Sequence, residues 1–120
     1  MEDYRLGPVE SRFADLIWAN EPLHSRELVQ LCQQELNWKK PTTYTVLRKL
    51  CERGIFRNDS GTVSSVLSRD EFYALQSEKY VEESFRGSLP AFLAAFTQRK
   101  VLSPEEIAQL RRMIAEYGEE

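Results

Sequence analysis

Histidine is nearly absent from this sequence of 120 residues, which holds His24 alone. Acid–base chemistry near neutral pH therefore has few routes. No paired catalytic acids or nucleophile motif accompany it, so an enzyme is not expected. Cysteine is scarce too: Cys32 and Cys51 have no Cys or His at ligand spacing. That argues against a disulfide framework and against a metal site, and fits two thiols in a reducing cytoplasmic compartment. Five glycines form no phosphate-cradling loop, and no cofactor is implied. No apolar run approaches a membrane span and the N-terminus has no signal-peptide pattern, so no membrane insertion is expected. Excess positive charge is missing as well. Sixteen Lys and Arg stand against nineteen Asp and Glu, a net charge of -3, and that balance taken whole disfavours a nucleic-acid partner.

What is present divides by sign. Residues 1–69 carry a net +1 and residues 70–120 a net -4, while residues 38–57 hold six basic side chains against Glu52 alone, a net +5. A local cluster of this kind can bind phosphate even in an acidic chain.

The apolar spacing predicts a helix over 8–20, with Val9, Phe13, Leu16 and Ile17 on one face, closed by Asn20-Glu21-Pro22. A second helix is expected over 25–37, with His24 at its start, and a third over 42–53. In the third, Thr43, Val46, Leu47 and Leu50 fall on one side. Thr45, Arg48 and Lys49 fall on the other, with Thr42 and Tyr44 on the flanks. Gly54 is expected to cap it. The period then shortens to that of strands over 55–58 and 62–67 around the turn residues Asp59-Ser60-Gly61. Helical spacing returns at a Ser68–Glu71 capping box and runs to Arg86, followed by an apolar segment over 89–98. A last helix is announced by Ser103, Pro104 and Glu106. Trp18 is expected to pack, and Trp38 either to bury or to touch a sugar-phosphate backbone.

Three helices and a two-stranded hairpin are the order of a winged helix-turn-helix, in which the third helix enters the major groove and the hairpin lies along the backbone. The expected fold class is therefore mainly α with a small β-hairpin: a DNA-binding domain over 1–69, then a helical dimerisation domain over 70–120. Lys39, Lys40, Thr42, Thr45, Arg48 and Lys49 supply the basic, polar face that such a helix needs, and Arg57 and Thr62 sit on the wing. The alternative is a winged-helix protein-interaction module with no role on DNA. A winged helix of roughly 60 to 70 residues cannot cover all the later apolar residues. Phe72, Leu75, Tyr80, Phe85, Phe92, Phe96, Ile107, Leu110 and Ile114 are thus expected to pair across a two-fold in a homodimer.

The run from Trp38 through Lys40-Pro41-Thr42-Thr43-Tyr44-Thr45 to Arg53-Gly54 resembles the penicillinase repressors of the BlaI/MecI type. So do Glu10, Ile17 and Trp18, and the tail Leu102-Ser103-Pro104-Glu105-Glu106-Ile107 with Leu110; the likeness covers residues 6–116. The resemblance implies a cytoplasmic, homodimeric repressor on a palindromic operator in double-stranded DNA. Its DNA-contacting positions fall on Thr42, Tyr44, Thr45 and Lys49, with Lys40 and Arg48 adjacent. Tyr44 stands where the family has a basic residue. Members of that family induced by β-lactams are cut at an Asn–Phe bond, with a membrane sensor protease as the implied partner; the matching bond here is Ala95–Phe96, and Ala95 in place of the family's Asn argues against that route. No Cys-x-Cys pair follows Cys51, so copper sensing of the kind seen in one relative is excluded.

Overall fold

A computed structural model describes residues 4–118. The elements are α1 (Pro8–Asn20), β1 (Leu23–His24), α2 (Ser25–Leu36), α3 (Lys40–Glu52), β2 (Phe56–Asp59), β3 (Thr62–Ser65), α4 (Arg69–Phe85), α5 (Leu89–Thr97) and α6 (Pro104–Tyr117). The protein is mainly helical with a small antiparallel sheet, a winged helix followed by further helices. It divides into two compact units between Lys79 and Tyr80. That point lies inside α4, some way beyond the 69/70 boundary expected from the sequence.

In the first unit α1, α2 and α3 bury one stripe each. Phe13 and Ile17 come from α1, Leu28 and Cys32 from α2, and Leu47 and Leu50 from α3. Ile55, Phe56 and Val63 close the core from the wing side. Each large side chain removed from water in this way contributes about 1.5–3 kcal/mol before conformational entropy is counted. Trp38 resolves toward packing, stacking on Phe13 at 5.4 Å. Trp18 packs on Phe56 and Phe72, and its indole N–H donates to the Leu67 carbonyl at 3.0 Å.

Local chemistry sets the boundaries. Pro22 forbids helical backbone at Glu21, which turns extended. The Glu21 carboxylate then accepts from the N–H of Ser65 at 2.8 Å and from its hydroxyl at 2.7 Å, fixing the end of α1 to β3. His24 caps α2 in place of a Ser or Thr. Its Nδ1 accepts from the Arg26 N–H, and Glu27 accepts from the His24 N–H, each at 3.1 Å. Asn37 ends α2 at φ 55°, which a short polar side chain tolerates. α3 begins at Lys40, two residues before the expected start, because Pro41 fits the first helical turn.

The wing is tighter than the spacing predicts. Asp59 pairs with Thr62, leaving Ser60 and Gly61 as a two-residue turn at φ 52° and 98°. Positive φ at both positions is the hairpin turn whose twist matches the strands. A third strand, absent from the expected pattern, joins the sheet in the order β1-β3-β2, with Leu23 opposite Val63 and His24 opposite Thr62. A Cβ on Gly61 would sit 2.7 Å from the His24 Nε2, so glycine is required there for space as well as for φ.

α4 opens with the expected box, Ser68 and Glu71 exchanging hydrogen bonds at 2.8 and 3.1 Å. Phe72 was expected among the dimer residues. It is instead fully buried in the first unit's core, ringed by Tyr4, Trp18 and Tyr73, and so has no surface to give a partner. In the second unit Ser88 caps α5, and Ser103 with Glu106 boxes α6. Phe92 lies edge-on to Phe85 at 5.6 Å and to Tyr80 at 6.2 Å. Neither α5 nor α6 has a fully buried residue.

Candidate nucleic-acid interface

α3 carries its two faces as the helical period requires. Thr43, Leu47 and Leu50 are buried and Val46 is half-buried. Lys39, Lys40, Thr42, Thr45, Arg48 and Lys49 are all exposed, and Tyr44 is half-buried on the flank between. At the start of the helix Lys39 is the N-cap and no side chain satisfies that end. The positive end of the helix dipole is therefore left to solvent or to an anion, beside two lysines.

The cations differ in how freely they can move. Arg48 reaches Glu52 at 4.0 Å, but both side chains are more than 70% exposed. An exposed pair one turn apart contributes about 0.3 kcal/mol, so phosphate can displace Glu52. Arg53 counts toward the +5 segment but faces elsewhere, its guanidinium donating to the Arg5 carbonyl and lying 4.0 Å from Glu10. Thr45 is exposed, and its hydroxyl donates to the Pro41 carbonyl at 2.9 Å.

On the wing Arg57 and Thr62 are exposed, as are Asn58, Asp59 and Ser60. Asp59 is a carboxylate at the turn and weakens the wing's attraction for phosphate. An open cleft of about 370 Å3 separates α3 from β2, lined by Tyr44, Leu47, Arg48, Cys51 and Asn58. The fold thus brings Tyr44 and Arg48 beside the wing strand. Sequence reasoning missed Asn58 there, and missed Ser25, whose Oγ accepts from the Tyr44 hydroxyl at 3.2 Å. Ser25 lies 19 residues from Tyr44 in the chain, and no local pattern signals that meeting.

Both cysteines are free. Burial pushes the Cys32 thiol up, partly offset by the Thr43 hydroxyl. Burial pushes Cys51 up as well, with Glu52 adding to it. Neither is an activated thiolate. Among the described residues no group of three or more His, Cys, Asp and Glu could hold a metal ion, and no helix is long and apolar enough to cross a membrane.

The residues expected to pair two copies fall in different settings. Leu75, Phe85, Phe92 and Leu110 are half-buried. Tyr80, Phe96, Ile107 and Ile114 are exposed, Ile114 to 69%. Phe92, Phe96, Leu110 and Met113 line an open apolar groove between α5 and α6. Ala95 and Phe96 lie within α5, where the Ala95 carbonyl accepts from the Gln98 N–H.

A family model described as penicillinase repressor matches residues 6–116. The chain belongs to the penicillinase repressor family. It is similar to the methicillin resistance regulatory protein MecI of Mammaliicoccus sciuri, with 18% identity over 115 residues, covering 92% of this chain and 94% of that protein. Membership of the penicillinase repressor family gives the chain a repressor's role in transcription regulation. The match spans both units.

Proposed function

We propose that the protein is a DNA-binding transcriptional repressor that acts as a homodimer on a palindromic operator, with α3 in the major groove and the wing on the backbone. The observation that carries this reading is the exposed Thr42, Thr45, Arg48 and Lys49 on the side of α3 away from the core, with Lys39 and Lys40 exposed at its start. Long cations at its ends neutralise phosphates, while Arg48 and Lys49 have the reach and donors for guanine edges. Two copies are needed because the second unit leaves its apolar side chains uncovered, and a two-fold protein matches a two-fold site. A sensor-protease cut at Ala95–Phe96 would first require α5 to unwind, since the bond lies inside that helix.

Selection of duplexes from a randomised pool tests the reading. Enriched sequences are expected to be palindromic, and log K to fall linearly with log salt. Lys49→Ala and Arg48→Ala are each expected to weaken binding about tenfold at unchanged melting temperature. Removing a cation that neutralises one phosphate flattens the salt slope by about 0.9, or about 1.8 for a dimer. Failure to enrich any sequence, or an affinity indifferent to salt, would overturn the reading.

A further inference from the structure

Tyr44 stands on α3 between Lys40 and Arg48, one turn from each. Three observations limit what it can offer a ligand. Its hydroxyl proton is spent on Ser25 Oγ at 3.2 Å. Ser25 is 6% exposed, and its own N–H is held by the Gly61 carbonyl of the wing turn at 2.7 Å. The Lys40 ammonium lies 6.0 Å from the ring centroid. Finally, the ring forms one wall of the cleft between α3 and β2, with Leu47 and Cys51 as apolar neighbours and Arg48 and Asn58 as polar ones. A phenol whose proton is taken by Ser25 does not donate to a base edge and keeps only its oxygen lone pairs, so the ring face is the larger part of what it offers. What it presents is a fixed aromatic surface beside side chains that do carry donors. In the major groove the apolar feature that distinguishes one base from the others is the 5-methyl group of thymine.

We propose that Tyr44 is a specificity-determining residue that selects thymine, through ring contact with its 5-methyl group, at one position of each half-site. The inference rests on the repressor reading above and adds to it the base and the atom that are read. Arg48 and Lys49 supply affinity and guanine contacts, while the ring supplies a preference that no cation can give. Deoxyuridine differs from thymidine by that methyl group alone and pairs identically, so it isolates the contact from hydrogen bonding.

The test uses duplexes that the wild-type protein enriches from a randomised pool, remade with deoxyuridine at one thymine position at a time. One position per half-site is expected to bind about fourfold more weakly as deoxyuridine, the factor carried by one buried methyl group. Tyr44→Ala is expected to erase that difference. Tyr44→Gln, which keeps the bulk without the ring, serves as a second variant and should erase it too. Tyr44→Phe keeps the ring and should retain the preference. Equal binding of thymine and deoxyuridine at every position would overturn the proposal. So would a preference that survives both ring-deleting variants, or one that Tyr44→Phe abolishes, since the hydroxyl would then be the reader. Absence of any duplex binding would overturn the repressor reading and this inference together, whereas binding with no methyl effect overturns this inference alone.

Discussion

In the first unit Phe13, Ile17, Leu28, Leu50, Ile55, Val63 and Phe72 all fall to zero exposure, whereas α5 and α6 of the second bury no residue fully and leave Ile114 69% exposed. The two units are built from similar helices with similar caps. Ser103 and Glu106 box α6 with the same bonds that Ser68 and Glu71 give α4. The difference therefore lies in what covers the apolar stripes. Around the first core, three helices and a sheet enclose one another. The later helices present Phe96, Ile107, Met113 and Ile114 to water, an arrangement that oligomers resolve by pairing equal faces. On this reading one unit owes its stability to its own sequence and the other to a second copy.

That contrast can be broken by substitution. Leu50→Ala is expected to have the largest effect, about 2–5 kcal/mol, because it empties a fully buried site. Calorimetry should show the main transition falling by more than about 10 °C. Ile114→Asp sharpens the comparison from the other side. The side chain is exposed in one copy, so the thermal transition of the first unit should stand, while dimer dissociation should rise about a hundredfold if a carboxylate must enter the interface. Sedimentation across a dilution series reads that change.

Smaller effects come from backbone and caps. Arg86 ends α4 at φ 53°, a conformation that costs a residue with a Cβ. Arg86→Gly is expected to raise stability by about 1 kcal/mol in denaturant unfolding. Glu71 gives the smallest effect. Its carboxyl is held below the ordinary glutamate value by the Ser68 N–H first and by the Ser68 hydroxyl second. A carboxyl lowered by folding adds stability above the usual glutamate range, and that contribution fades as pH falls through the lowered value. Glu71→Gln should therefore be slightly less stable than wild type near neutral pH and match it in strong acid, as melts across the pH range would record.

Much of this fold is legible in the order of the residues because its helices announce their own ends. Gly54, at φ 79° with nothing within 4 Å of where a Cβ would sit, marks the stop of α3 through backbone conformation alone. The exposed face of α3 follows from period as well. What the sequence conceals depends on distant partners. β1 is two residues long, too short for any alternation, and exists because Val63 and Thr62 are there to pair with it. Phe72 shares a helical stripe with Leu75 and Tyr80, and only the packing of Tyr4, Trp18 and Tyr73 around it assigns it to the first core. Arg53 looks like one more cation in a basic run until Glu10 and the Arg5 carbonyl take it out of the candidate interface. The Tyr44–Ser25 contact joins two helices through a meeting that neither sequence segment signals.

Sedimentation equilibrium of the 120-residue chain, alone and with an enriched palindromic duplex, bears most directly on the claim that the second unit closes on another copy to build a two-fold reader. The free protein is expected at twice 14.0 kDa in the micromolar range, with two chains on each duplex. A mass of 14.0 kDa that persists at those concentrations, with one chain bound per palindrome, would contradict it.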